Sequence, residues 1–291
     1  MKKWLFLCIV LLVVGFRFYQ KEESSVKYRP DSKTVAVQSE TEGSEKTIHI
    51  DKEQIYEGNL ILVNKDYPIH KKGTASDIIK LSQHEELTSG FSLLDHSIRL
   101  SQSVTEQFAR LTEAAAKEGV THFRISSGYR DSEEQEVLYR EKGADYALPA
   151  GYSEHNSGLS LDIGSTLGEI GKAPEGDWLK ANAWSYGFIL RYPEDKTAIT
   201  GIKYEAWHFR YAGLPHSQIM KDKNMVLEEY LEYLKQQQSV QITVDNRKYL
   251  VLYAPVSKNT SIQIPAGHPY EISGNNSDGV IVTVLLSTWK I

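Results

Sequence analysis

The sequence predicts an α+β fold. Segments with helical spacing and short strand-like runs follow one another through residue 238, and from Ser239 the chain turns wholly strand-like. The 291 residues are 41% apolar and 24% charged, an ordinary globular composition with ample length for a buried core. A net charge of −5 gives no strong basic surface and speaks against nucleic acid as a partner.

The N-terminus differs from the rest. Lys2-Lys3 precedes an apolar run from Trp4 to Phe16, and Arg17 follows. Thirteen residues suit the core of a signal better than a full membrane span. Phe18-Tyr19 lengthen the run if Arg17 snorkels. No small-x-small cleavage site follows directly, so residues 1–19 are read as an N-terminal membrane anchor in preference to a removed signal. Basic residues at the extreme terminus place that end inside and the remainder outside, giving a single-anchor protein with an extracytoplasmic domain. The only cysteine, Cys8, lies in this run, so no intramolecular disulfide is available. Residues 20–47 are polar and charged without a sustained period, and read as a flexible tether.

A main domain is expected over 48–238. Asn59–Asn64 is an apolar run between turn formers and reads as a strand. Ser101 or Ser103 can cap a helix whose apolar positions Val104, Phe108, Leu111 and Ala115 step by four and three, and Gly119 ends it. Thr121–Ile125 alternates as a half-buried strand does. Asp131 with Glu134 makes a capping-box start for a helix reaching Gly143. Trp178–Tyr186 reads as a short helix closed by Gly187, and Ser217–Gln237 as one longer helix carrying Leu227, Tyr230, Leu231 and Leu234. Gln241–Tyr253 reads as two strands around an Asp245-Asn246 turn, with further strands at Ser261–Ile264 and Val280–Leu286. Residues 239–291 are thus a small all-β appendage, short for an independent core and expected to pack on the domain before it.

Two segments carry chemistry. Ser153-Glu-His-Asn-Ser-Gly-Leu-Ser-Leu-Asp162 supplies His155 and Asp162 seven residues apart, and Glu205-Ala-Trp-His208 supplies a Glu three residues before a His. Together they make three ligands and a spare carboxylate, the parts of a hydrolytic zinc centre with one open position. Small residues between His155 and Asp162 suit a tight loop entering a strand, whose alternation turns Ser160 and Asp162 to one face. Glu205 is the candidate base, passing its proton on to a leaving amine. Spacing leaves open the exchange in which Glu205 ligates and Asp162 is structural. Glu-x-x-His recurs by chance, so the specificity lies in the joint pattern. His122, His216 and His268 are assigned to the surface or to support behind the ligands, and Trp184 and Trp207 to the core.

Ser-x-His-x-x-Gly-x-x-x-Asp followed by Glu-x-x-His resembles the zinc peptidases related to D-alanyl-D-alanine carboxypeptidases, lysostaphin-like enzymes and the Hedgehog signalling domain. Ser126-Ser-Gly-Tyr-Arg-Asp131 and Tyr146-Ala-Leu-Pro-Ala-Gly-Tyr152 narrow this to the VanY-type D,D-carboxypeptidases of glycopeptide-resistant bacteria, over nearly the whole chain. Ser160 departs from the alanine usual in the wider family. The resemblance implies a zinc peptidase domain with a central antiparallel sheet and surrounding helices. It implies one zinc ion held by His155, Asp162 and His208, with Glu205 as catalytic base. Arg130 would stabilise the reacting carbonyl, and Gln135 and Ser153 would help hold the substrate terminus. Physics supports Arg130 independently, since a guanidinium beside a scissile carbonyl stabilises the developing oxyanion.

The expected reaction is removal of the last D-Ala from peptidoglycan pentapeptide precursors outside the bacterial membrane. By resemblance this destroys the dipeptide that vancomycin-class antibiotics bind, so the role would be antibiotic resistance. The same zinc residues would also serve an L,D-carboxypeptidase or a wall endopeptidase. A wall-binding or signalling module without turnover is a further alternative, against which Glu205 and Arg130 argue.

Overall fold

The structure, a computed structural model, describes residues 34–35, 44–143 and 147–288. The expected anchor, Cys8 and most of the expected tether lie outside these residues. Among the described residues no helix is long and apolar enough to cross a membrane.

Strand β1 (Glu45–Ile50) opens the continuous chain, so residues 45–47, expected in the tether, are paired backbone. Strands β2 (Ile78–Lys80) and β4 (Arg99–Ser101) form a short ladder, with β3 (Ser92–Leu93) between them in sequence. Helix α1 (Gln102–Lys117) begins where Ser101 Oγ accepts from Val104 N at 3.3 Å, which decides between the two expected caps. It buries Val104, Phe108, Leu111 and Ala115, the positions its spacing foretold. Strand β5 (Phe123–Ser127) leads to helix α2 (Ser132–Lys142), started by the Asp131/Glu134 capping box. Then come β6 (Ser160–Ser165), α3 (Pro174–Asn182), β7 (Phe188–Leu190) and β8 (His208–Tyr211).

The central sheet has the order β3-β5-β6-β8-β7 and is antiparallel except for the short β3/β5 pair at its edge. Alternation divides its faces. Leu161, Ile163 and Phe209 enter the core beside Phe108 and Leu111 of α1 and Trp178 and Leu179 of α3. Each such side chain contributes about 1.5–3 kcal/mol on burial. Ser160, Asp162, His208 and Arg210 therefore lie on the opposite face.

Two expectations change. Asn59–Asn64 is irregular, although Leu60, Ile61 and Val63 are fully buried. Its carbonyls are met by side chains in place of a ladder, Arg210 donating to Asn59 O and Ile61 O and Asn276 to Leu62 O, while Leu62 N donates to Asn275 O. The long helix is two, α4 (His216–Lys223) and α5 (Leu227–Gln237). Asn224 breaks it in the left-handed region at φ 51°, a conformation asparagine tolerates.

The C-terminal unit follows. Strands β9 (Ser239–Val244) and β10 (Arg247–Pro255) join through Asp245 and Asn246, at φ 48° and 59°, the twin positive values of a two-residue hairpin turn. With β11 (Thr260–Pro265), β12 (Tyr270–Gly274) and β13 (Gly279–Thr288) they form a sheet of order β9-β10-β13-β12 and a second in which β11 pairs with β1. The backbone of Thr34–Val35 adds in parallel on the other side of β11. The core between these sheets unites Leu250, Leu252, Ile262 and Val282 with Ile48, Ile50 and Ile55 from the start of the chain. The other face of β10 sets Val251 and Tyr253 against Tyr230 and Leu234 of α5. Buried on both faces, β10 is apolar without alternation.

Candidate active site

The site begins with a pinned loop. Ser153 Oγ accepts from His155 N at 3.3 Å and starts a short 3-10 turn that ends at Gly158, φ 76°. Asn156 donates to Arg130 O at 2.8 Å, and its Oδ1 accepts from Gly151 N at 3.0 Å. Arg130 N donates in turn to His155 O at 3.1 Å. The loop carrying His155 is thereby tied to the β5–α2 turn carrying Arg130.

Register then assembles three ligands. Asp162 on β6 stands directly opposite His208 on β8. His208 Nδ1 lies 3.1 Å from Asp162 Oδ1, and His155 Nε2 lies 3.5 Å from Asp162 Oδ2. The other nitrogen of each ring is engaged elsewhere: His155 Nδ1 donates to Gly128 O at 2.6 Å, and His208 Nε2 lies 3.3 Å from Glu154 Oε2. Metal–nitrogen bonds of about 2.0–2.1 Å in a tetrahedron need ligand atoms about 3.3 Å apart, so this donor set fits one zinc ion. Electrostatics agree. Burial opposes charge on Asp162, yet His155 and His208 hold its carboxyl far below the usual range. Burial would lower His208, but hydrogen bonds to Asp162 and Glu154 push it up to about 9. Burial lowers His155 despite Asp162. Without metal the cluster therefore keeps a proton, which a cation would displace.

Glu205 stands just beyond, Oε2 3.9 Å from His208 Nδ1. The described cluster of close ligand atoms contains Asp162 and not Glu205. Burial raises the Glu205 pKa, opposed by His208 and reinforced by the Asp162 and Glu154 carboxylates. Arg130 donates through Nε to Gln135 Oε1 at 2.9 Å and through Nη1 to Ser127 Oγ at 2.7 Å. It does not pair with Asp131 or Glu134, which bind Arg99 instead. Gln135 also donates to Leu148 O at 2.7 Å, so both ends of its amide are used. All seven residues singled out in the sequence line one cleft of about 460 Å³.

Some assignments shift. Trp207, expected in the core, is 44% exposed and lines this cleft. His216 is buried away from it, bonded to Tyr230 OH at 2.7 Å and Thr283 Oγ1 at 3.0 Å. Sequence reasoning missed Glu154, Arg191 and Arg210, an ion network at zero side-chain exposure behind His208. It also missed Tyr192, whose ring lies 4.9 Å from that of His208. Two signals were available: Glu154 precedes His155 directly, and Arg210 shares the sheet face of His208.

The family description VanY, D-alanyl-D-alanine carboxypeptidase, matches residues 97–214. A D-alanyl-D-alanine carboxypeptidase of Enterococcus faecium is 52% identical over 98% of this chain and 96% of its own length. The chain belongs to the VanY family of D-alanyl-D-alanine carboxypeptidases. A further VanY relative, the bifunctional D-Ala-D-Ala dipeptidase and carboxypeptidase VanXYC of Enterococcus gallinarum, is 39% identical over 61% of this chain and 95% of its own. Among solved structures, the vancomycin resistance D,D-dipeptidase VanXYg with a D-Ala-D-Ala phosphinate analog aligns at TM-score 0.73 and 32% identity, covering 84% of this chain and all of that one. Coverage of that extent reaches past residue 238, so the likeness to VanXYg takes in part of the C-terminal sheets.

Proposed function

We propose that this chain is a zinc-dependent D,D-carboxypeptidase that removes the C-terminal D-Ala from D-Ala-D-Ala-ended peptidoglycan precursors and so confers vancomycin-type resistance. The observation that carries this is the His155, Asp162 and His208 cluster on a cleft that also holds Glu205 and Arg130. Zinc held by the three ligands supplies Lewis acidity toward a carbonyl oxygen and makes water a stronger acid.

The remaining steps fall to the chain. Glu205, with its raised pKa, takes a proton from the attacking water and returns it to the leaving amine. Arg130, held by Gln135 and Ser127 before substrate arrives, places its charge where the oxyanion develops. Ser153 Oγ accepts from His155 N, and among the described residues it donates to none, which leaves its hydroxyl proton for the substrate terminus. Gln135 acts through Arg130, accepting from its Nε and so fixing where that charge sits. Residues 1–19 would hold the enzyme on the outer membrane surface, where lipid-linked precursors are concentrated.

D-Ala release from a synthetic pentapeptide tests the reading. Release is expected to stop with chelator and return with zinc. No release by folded, zinc-loaded protein would overturn it, and faster release from the tetrapeptide would make the enzyme an L,D-carboxypeptidase.

A further inference from the structure

Glu154 is fully buried beside the site, and the proposed reaction gives it no step. We infer that Glu154 is a positioning residue that fixes the His208 ring so that Nδ1 faces the zinc. The inference rests on the zinc reading above and concerns a side chain which that reading does not use.

Four donors close on the two carboxylate oxygens. Oε1 accepts from Arg191 Nε at 2.8 Å and from Arg210 Nη1 at 3.1 Å. Oε2 accepts from Ser160 Oγ at 3.1 Å and meets His208 Nε2 at 3.3 Å. A carboxylate has about four acceptor sites, so all are used and the group cannot turn. The cage is braced from outside. Arg191 makes a two-point pair with Glu228 of α5, at 2.8 and 2.7 Å. Arg210 is held by the carbonyls of Asn59 and Ile61, at 3.0 and 3.1 Å.

Two guanidinium groups balance the two glutamates, so Glu154 can accept from a neutral imidazole without taking its proton. A proton fixed on Nε2 leaves the lone pair on Nδ1, the nitrogen beside Asp162. The two histidines thus ligate through opposite nitrogens, each set by what its other nitrogen meets: Gly128 O for His155 and Glu154 for His208. Ser160 is part of the cage, and its hydroxyl fills a site on Oε2 that alanine would leave empty.

The test substitutes Glu154→Asp in the full chain. The charge stays within the cage but withdraws by about 1.5 Å, which breaks the His208 contact and lengthens the bonds to Arg191, Arg210 and Ser160. Zinc affinity is read by competition with a chromophoric chelator. A dissociation constant raised about 10–100-fold is expected, in a variant that melts lower than the parent without zinc but still cooperatively. Parental affinity in the variant overturns the inference. A variant that fails to fold is answered by a second measurement on the zinc-loaded parent, nitrogen-15 spectra of the histidine rings. A downfield, slowly exchanging proton on His208 Nε2 supports the inference, and a proton on Nδ1 or none on Nε2 overturns it. A folded parent that binds no zinc overturns the proposed function as well, so the two failures are distinguishable.

Discussion

Glu205 and Arg130 divide the chemistry between a base and a fixed charge. Glu205→Ala is expected to retain zinc while kcat falls about 10²–10⁴-fold, the usual contribution of a positioned base. Activity within tenfold of the parent would remove Glu205 from that role. The pH profile follows from its environment. A base must be ionised, and burial raises the Glu205 pKa, so kcat/KM should fall as pH drops through a value above the ordinary 4.5. Arg130→Lys keeps a charge but loses the fork that Gln135 and Ser127 hold. A loss in kcat/KM of about 10²–10³-fold is expected at unchanged zinc affinity, and a parental rate would show that the fork is dispensable. His155, Asp162, Glu205 and His208 could be read from the sequence because metal hydrolysis demands few residue types at compatible spacings. For Glu154 and Arg210 the sequence offered only adjacency to a ligand and a shared strand face, and for Arg191 nothing. Their pairing joins segments far apart in the chain, and an isolated buried arginine has no sequence period.

The turn ending at Gly158 shows how local backbone holds the chemistry in place. A side chain there would adopt φ 76° and bring Cβ within 2.4 Å of Ile78 Cδ1 on β2. Gly158→Ala is expected to cost about 1–2 kcal/mol, chiefly from the left-handed conformation, with the Ile78 methyl displaced. It should also weaken zinc binding, because Gly158 N donates to His155 O. Thermal unfolding and chelator competition measure both, and an unchanged melting temperature would contradict the steric reading. Elements with strong end signals were legible: α1 from Ser101, α2 from its capping box, and the β9–β10 hairpin from Asp245-Asn246. Asn59–Asn64 misled because an apolar run records burial and not the geometry that satisfies the backbone. The α4–α5 break was missed because Asn224 interrupts a continuous apolar stripe without a glycine or proline to announce it.

The C-terminal sheets are joined to the rest on two sides. They cover Tyr230 and Leu234 of α5, and they enclose Ile48, Ile50 and Ile55 from the start of the described chain. Removing residues 239–291 exposes both sets. The truncated chain is expected to lose its cooperative thermal transition, and one that melts like the parent would make the sheets dispensable. The appendage was legible as strands from residue 239 onward, but its dependence on residues 45–56 was not, because nothing local marks a strand for a partner so distant. Ile50 faces Thr260, 210 residues later. Synthesis proceeds at about 5–20 residues per second, so β1 waits roughly 10–40 s for β11 to exist. Through that interval it is a bare edge, open to pairing with another chain. Exposed Glu45 and Lys46 at its start put charge on that edge while it waits. A strand made early is therefore secured only once β11, some 210 residues further on, has been made.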